Sequence, residues 1–366
     1  MHQIEKIQIL TSQAVDLLRE MVAIPSPSFN EDEVCTHISN WLNDKGVSHK
    51  RAGNNLIARL SDQPNITKDA FLGKPTLMLC AHIDTVAPCE GYTFDPYGPE
   101  NCPADMVQGL GSNDDGASVV SMTAAFRYFA ENAENCPDIL LVLTCEEERS
   151  GVNGMTGLWQ EIKGNVDYAI VGEPTCMKAA TAERGLLVID ATAHGVSGHA
   201  ARNEGVNAIS IALEDITVLQ NHVFERISPR MGKVNLNVTQ INAGSAHNVI
   251  PDICTFVIDI RPTEQYSNEE ILNELQNICQ SELKARNLKN RSSATYTDSP
   301  LQKTAETLGI EIFSSPTTSD WMRISCDAVK MGPGDSSRSH RKDEFVTVAE
   351  IEEGIKTYID YIQKLK

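Results

Sequence analysis

Apolar and polar positions follow two rhythms along this chain. Over the first half, unbroken apolar runs alternate with segments whose apolar residues recur at helical spacing. Leu77-Met78-Leu79-Cys80-Ala81, Ile139–Cys145 and Tyr168–Val171 show no polar alternation, the pattern of strands buried on both faces. Between and around them the spacing predicts helices. Residues 11–23 carry Val15, Leu17, Leu18, Met21 and Val22 on one face, and Ile24-Pro25-Ser26-Pro27 ends that helix because residues before proline avoid the α region. Val34, Ile38, Trp41 and Leu42 mark a second helix stopped by Gly46, followed by short strands around 47–51 and 55–60 before the strand at 76–81. Further helices are expected at 117–130, near 154–162, and at 347–364, where Ile351, Ile355, Tyr358, Ile359 and Ile362 align. Helices alternating with apolar strands predict an α/β domain with a mixed, largely parallel sheet.

From about residue 180 the rhythm changes. Strands are expected at 186–193, 234–241, 254–261 and 293–297, with helices at 205–223 and 268–286. That order, βαββαβ, is a ferredoxin-like motif. It predicts a second domain over 180–297 inserted into a discontinuous first domain formed by 1–179 and 298–366. A chain of 366 residues is long for a single core, which agrees with two domains.

The predicted strands of the first domain end in polar residues. His82 and Asp84 follow the first, Glu146-Glu147-Glu148 the second and Glu173 the third, while Asp114 and Asp115 lie in a glycine-bounded loop. Residues i and i+2 on a strand share a face, so His82 and Asp84 emerge together. Open sheets bind ligands at the carboxyl ends of their strands. Carboxylates converging there repel one another unless a cation neutralises them, and imidazole with carboxylate suits zinc, cobalt or manganese better than magnesium or calcium. His340, in a polar loop after Gly332-Pro333-Gly334, is a further candidate.

The formal charge of −19 argues against nucleic acid and anionic membranes as partners. No apolar run approaches a membrane span, and Met1–Lys6 lacks the basic and apolar regions of a signal peptide. Ten cysteines contain no C-x-x-C pair, and Cys80, Cys145 and Cys254 fall in predicted core strands. Free thiols in a reducing, cytoplasmic setting account for them better than a disulfide framework.

Taken in order, these motifs resemble the M20 family of metallo-aminoacylases. His82-Ile83-Asp84-Thr85-Val86 is similar to its H-x-D-x-V, Gly111…Asp114 to G-x-x-D, Thr144-Cys145-Glu146-Glu147-Glu148 to T-x-D-E-E, and Gly172-Glu173-Pro174-Thr175 to G-E-P-T. The resemblance implies a zinc-exopeptidase-like catalytic domain with an inserted dimerisation or lid domain. By it, His82, Asp114 and Glu173 hold one zinc and Asp114, Glu148 and His340 the other, with cobalt or manganese able to replace zinc. Asp114 bridges, though Asp115 beside it is also acidic. Glu147 is then the general base and Asp84 the group that orients His82. In the inserted domain His199 resembles the family histidine that reaches a partner subunit's site, Asn248 its substrate asparagine and Arg261 the arginine that pairs with the substrate carboxylate. The implied enzyme is a homodimeric di-zinc deacylase of small N-acyl amino acids, nearest to members acting on N-acylornithine or N-acylcitrulline in arginine biosynthesis. A dipeptidase or aminopeptidase of the same fold is the alternative.

The chain departs from the family pattern at Glu146, where aspartate is usual, and at Gly116, where many members carry lysine. Arg338 adds a cation that could pair with an acidic acyl group such as succinyl. A serine hydrolase is disfavoured because Gly195-Val196-Ser197-Gly198 is followed by His199 rather than glycine, and Gly73-Lys74-Pro75 is no phosphate-binding loop.

Overall fold

A computed structural model describes residues 3–98, 102–133, 136–202 and 204–365. Met1 and His2, part of the amino-terminal stretch discussed above, lie outside the described residues. The chain forms two compact units. One comprises residues 1–181, 295–313 and 319–366, the other 182–294 with 314–318.

The first unit begins with α1 (Gln3–Val22) and α2 (Asp32–Asp44). The helix expected from residue 11 starts two turns earlier, because Ile7 and Leu10 continue its buried stripe. β1 (Lys50–Ala52), β2 (Asn55–Arg59), β3 (Thr76–His82), α3 (Ala117–Glu131), β4 (Asp138–Thr144), α4 (Met155–Ile162) and β5 (Tyr168–Val171) follow. Every residue of β3 and β4 is buried, as their unbroken apolar runs require. β3 pairs in parallel with both β4 and β5. The register sets His82 level with Thr144 and Cys80 level with Val171. The strands therefore end together, and so do the acids that follow them.

The second unit contains β6 (Leu187–His194), α5 (Ala208–Asn221), β7 (Asn235–Ala243), β8 (Ile253–Arg261), α6 (Asn268–Gln276) and β9 (Glu282–Ala285). Its antiparallel sheet has the order β7-β8-β6-β9. Alternate residues Leu187, Ile189, Ala191, Phe256, Ile258 and Ile260 pack with Ala212 and Leu219 of α5 and Ile271 and Leu275 of α6. The helix expected over 268–286 stops at Gln276, and the fourth strand is β9 rather than 293–297. Two causes are visible. Glu282, Leu283 and Lys284 alternate exposed, buried, exposed, a strand period. The buried Asp215 carboxylate also accepts the N–H groups of Gln280 and Ser281 at 2.9 and 2.7 Å, fixing a turn where a helix would need them. Only Ser293–Ala294 of the expected last strand is extended, and it pairs with Glu183 and Ala182 outside this sheet.

The chain returns to the first unit through α7 (Pro300–Thr307), β10 (Asp327–Lys330) and α8 (Val348–Lys364). β10 adds in parallel to β5, giving β1-β2-β4-β3-β5-β10 with antiparallel pairings at the β1-β2-β4 edge, and on its other side Lys330 of β10 pairs antiparallel with Ala180. One face packs on α1, α3 and α8, and the other on Met155, Leu158, Trp159 and Trp321. A Thr347–Glu350 capping box starts α8. Among the described residues, no helix is long and apolar enough to cross a membrane.

Candidate metal centre

The carboxyl end of β3 delivers His82, and the turn after β4 delivers Glu147 and Glu148. Nε2 of His82 lies 3.3 Å from Oδ1 of Asp114, and Nε2 of His340 lies 3.7 Å from Oδ2 of the same carboxylate and 2.9 Å from Oε1 of Glu148. Asp114 thus presents one oxygen to each histidine. Asp115 turns the other way, accepting the His82 N–H at 3.3 Å. Among the described residues, two triads have one ligand atom of each member within 4.8 Å of the others: His82, Asp114 and Glu148, and His82, Glu147 and Glu173. Glu147 therefore stands beside Glu173 where the resemblance places Asp114. His82, Asp114, Glu147, Glu148, Glu173 and His340 thus come to one edge of the sheet.

Two glycines permit this crowding. A Cβ on Gly172 would sit 2.6 Å from Cβ of Ser118, so β5 could not end against α3 with any side chain there. A Cβ on Gly116 would lie 2.4 Å from the Gly111 carbonyl oxygen and 2.5 Å from Leu18, so this backbone has no room for the lysine common at that position.

The electrostatics follow from burial and from facing charges. Burial opposes the His82 imidazolium, yet hydrogen bonds to Asp114 and Asp84 outweigh it and hold its pKa well above the usual value. Hydrogen bonding to Glu148 raises His340 to about 8. Burial drives Glu147 and Glu173 well above the carboxylate range, assisted by neighbouring acids. Burial also raises Asp115 to about 7. Asp114 moves down, because its contacts with His82 overcome its burial.

This donor set fits a divalent cation. His82 Nδ1 lies 2.9 Å from the backbone carbonyl of Asp84, so it carries the proton and leaves Nε2 facing a carboxylate oxygen. Two acceptors at that distance require a cation between them, and a metal would take the place of the proton. The Asp84 carboxylate is farther from this nitrogen, at 3.5 Å. The peptide carbonyl makes the shorter contact, and the Asp84 carboxylate faces the same nitrogen. The carboxylate also accepts the N–H groups of Glu147 and Glu148 at 3.0 and 3.2 Å and the Ser28 hydroxyl at 2.6 Å.

Sequence reasoning missed three groups here. Ser28 holds Asp84. Glu31, 1% exposed, accepts the Glu146 N–H at 3.2 Å. Asp320 accepts the Thr144 hydroxyl at 2.7 Å, and burial raises it to about 6. A serine after a proline and isolated acids carry no local signal of such partners. Glu146 bonds Asn153 through its carboxylate at 2.7 and 3.0 Å and takes no part in the donor cluster. Arg338 is engaged elsewhere: it donates to Glu350 at 2.9 Å and lies over Phe345, which answers its charge within the α8 cap rather than in a substrate pocket.

In the second unit, Gly198–His199 pairs with Val249–Ile250, which sets His199 beside Asn248. Both are exposed. Arg261, at the end of β8, forms a two-pronged pair with Asp259 at 2.9 and 3.1 Å.

Comparison with known proteins agrees with this architecture. The peptidase dimerisation domain profile of the M20 family matches residues 181–287, and that of peptidase family M28 matches 55–170. A peptidase M20 domain-containing protein from Schizosaccharomyces pombe is 26% identical over 97% of this chain and 87% of its own length. An acetylornithine deacetylase from Proteus mirabilis is 27% identical, covering 92% of this chain and 93% of its own. The aminopeptidase PepT structure from Bacillus cereus superposes with a TM-score of 0.76 at 19% identity, over 97% of this chain and 98% of that one. An α/β catalytic domain with a strand-end donor cluster and an added dimerisation domain defines a metal-dependent amidohydrolase. The M20 dimerisation profile, these relatives and the shared fold together support an M20 family metallopeptidase or amidohydrolase.

Proposed function

We propose that this enzyme hydrolyses the amide bond of an N-acyl amino acid, N-acetylornithine or a related N-acylornithine or N-acylcitrulline, as a step of arginine biosynthesis. The observation that carries the reading is the Asp114 carboxylate set between His82 and His340, with the protonation-prone Glu147 beside it. The acetylornithine deacetylase relative, matched over most of both chains, supports the substrate class.

In this reading His82, Asp114 and Glu173 hold one divalent ion and Asp114, Glu148 and His340 the other, zinc first and cobalt or manganese in its place. Bound there, the metals supply Lewis acidity that acidifies water and polarises the scissile carbonyl. Glu147 does the proton work. Its raised pKa suits it to take a proton from the attacking water and return it to the leaving amine. Asp84 keeps that carboxylate and Glu148 in place through their main-chain N–H groups. Asn248 contacts the substrate, and His199 of a second copy of the chain steadies the developing oxyanion, which makes the enzyme a homodimer. Arg261 pairs with the substrate carboxylate. Asp259 occupies its Nε and Nη2, so the substrate meets the Nη1 side of the fork. Residues 1–179 and 298–366 would form the catalytic domain and 180–297 the dimerisation domain. Ten free cysteines support a cytoplasmic, reducing setting.

The test is amine release by zinc-loaded enzyme from N-acetyl and N-succinyl forms of ornithine, citrulline and lysine, with simple dipeptides alongside. Preference for an acylated ornithine or citrulline supports the reading. Preference for dipeptides replaces it with the peptidase alternative on the same site.

A further inference from the structure

Glu344 belongs to neither donor triad, yet it touches the centre's main chain. Its side chain is buried, and Oε1 accepts the N–H of Asn113 at 2.9 Å and of Asp114 at 3.0 Å. The Gly111 N–H also bonds this carboxylate. The Glu344 carbonyl accepts the Gly109 N–H at 2.9 Å, and the next residues, Phe345–Thr347, pair with Met106–Gln108. The segment that begins with His340 is thereby tied at its far end to the segment that carries Asp114.

Asp114 needs such an anchor. Its backbone is extended, with φ −120° and ψ 99°, so no helical carbonyl takes its N–H. Its carboxylate must nevertheless hold one oxygen toward His82 and the other toward His340. A buried acceptor shared by two consecutive N–H groups fixes the peptide from which that side chain projects. Carboxylates that orient ligands in this way commonly govern metal affinity.

We propose that Glu344 is a positioning residue that sets Asp114 between the two histidines, and that its loss weakens the metal position shared with His340. The proposal rests on the ligand set given above. It assigns Glu344 no contact with substrate.

The test measures metal per chain after equilibration against dilute zinc, beside thermal stability and the kcat-against-KM split. Glu344→Ala is expected to retain one metal where the parent holds two, with affinity at the second position falling about 10–100-fold. Glu344→Gln keeps an acceptor oxygen and is expected to keep both metals. Glu350→Ala removes the α8 capping box and is expected to lower Tm while retaining both metals, which separates positioning from general destabilisation. Two metals bound at parental affinity in Glu344→Ala, while His340→Ala loses one, overturn the positioning role alone. Parallel metal loss in Glu344→Ala and Glu350→Ala also overturns it. Two metals in His340→Ala overturn the ligand set and this proposal with it.

Discussion

The two sheets of this protein use burial in different ways. In the first unit β3 and β4 are covered on both faces, so no side chain along their length meets solvent and chemistry appears only where they end. In the second unit β6 and β8 bury alternate residues against α5 and α6 and leave the others on an open face. Parallel strands of matched register bring their ends to one level, which is how four separate loops converge on one centre. Among the described residues, the second unit gathers no comparable cluster: His199 and Asn248 meet on a short two-stranded ribbon, and Arg261 is answered by a neighbour on its own strand. Closure on both faces concentrates polar side chains at an edge, whereas an open face disperses them.

Glu147→Gln should test this most severely. It should lower kcat by about 10²–10⁴-fold while both metals remain bound. A loss of metal would show Glu147 to be a ligand, as its place beside His82 and Glu173 permits. Next comes packing. Leu141→Ala in β4, at 0% exposure, should cost about 2–5 kcal/mol in chemical denaturation.

A third effect depends on pH. His82, Glu147 and Glu173 have raised folded pKa values, as do Asp115 at about 7 and His340 and Glu344 at about 8. Raised groups contribute stability below their unfolded pKa and lose it as pH rises through the folded value. Asp84 and Asp114 are lowered and lose their contribution only in acid, outside this interval. The Tm of chelator-treated protein should therefore fall between about pH 7 and pH 8. Added divalent metal should restore more of it at the upper end, because the metal replaces the protons. A flat Tm would mean that the acids are not confined as described. The smallest effect is expected on the open face, where Thr255→Ala in β8 should stay within about 0.5 kcal/mol. A cost equal to that of Leu141→Ala would abolish the contrast between the sheets.

Much of the first unit was legible because unbroken apolar runs of this length leave few alternatives to a buried strand, and because polar residues at their ends are conspicuous. The second unit was less so. Residues 277–286 contain too few apolar positions to separate a helical from a strand period, and the deciding contact comes from Asp215, more than sixty residues earlier. Arg338 looked available for an acyl group because its partner Glu350 announces itself in sequence only as part of a helix cap.

Local pattern was enough to single out the strand-end side chains that the structure brings together, since alternation, apolar runs and strand-end acids are written into neighbouring residues. The tertiary structure alone decided how they are held. That Nε2 of His82 faces inward, that Asp114 rather than Asp115 stands between the histidines, and that Asp84, Glu31 and Glu344 grip the main chain of the acidic turns all depend on hydrogen bonds between distant segments. Strand register and burial create those bonds, because a buried N–H must find an acceptor wherever the fold has placed one.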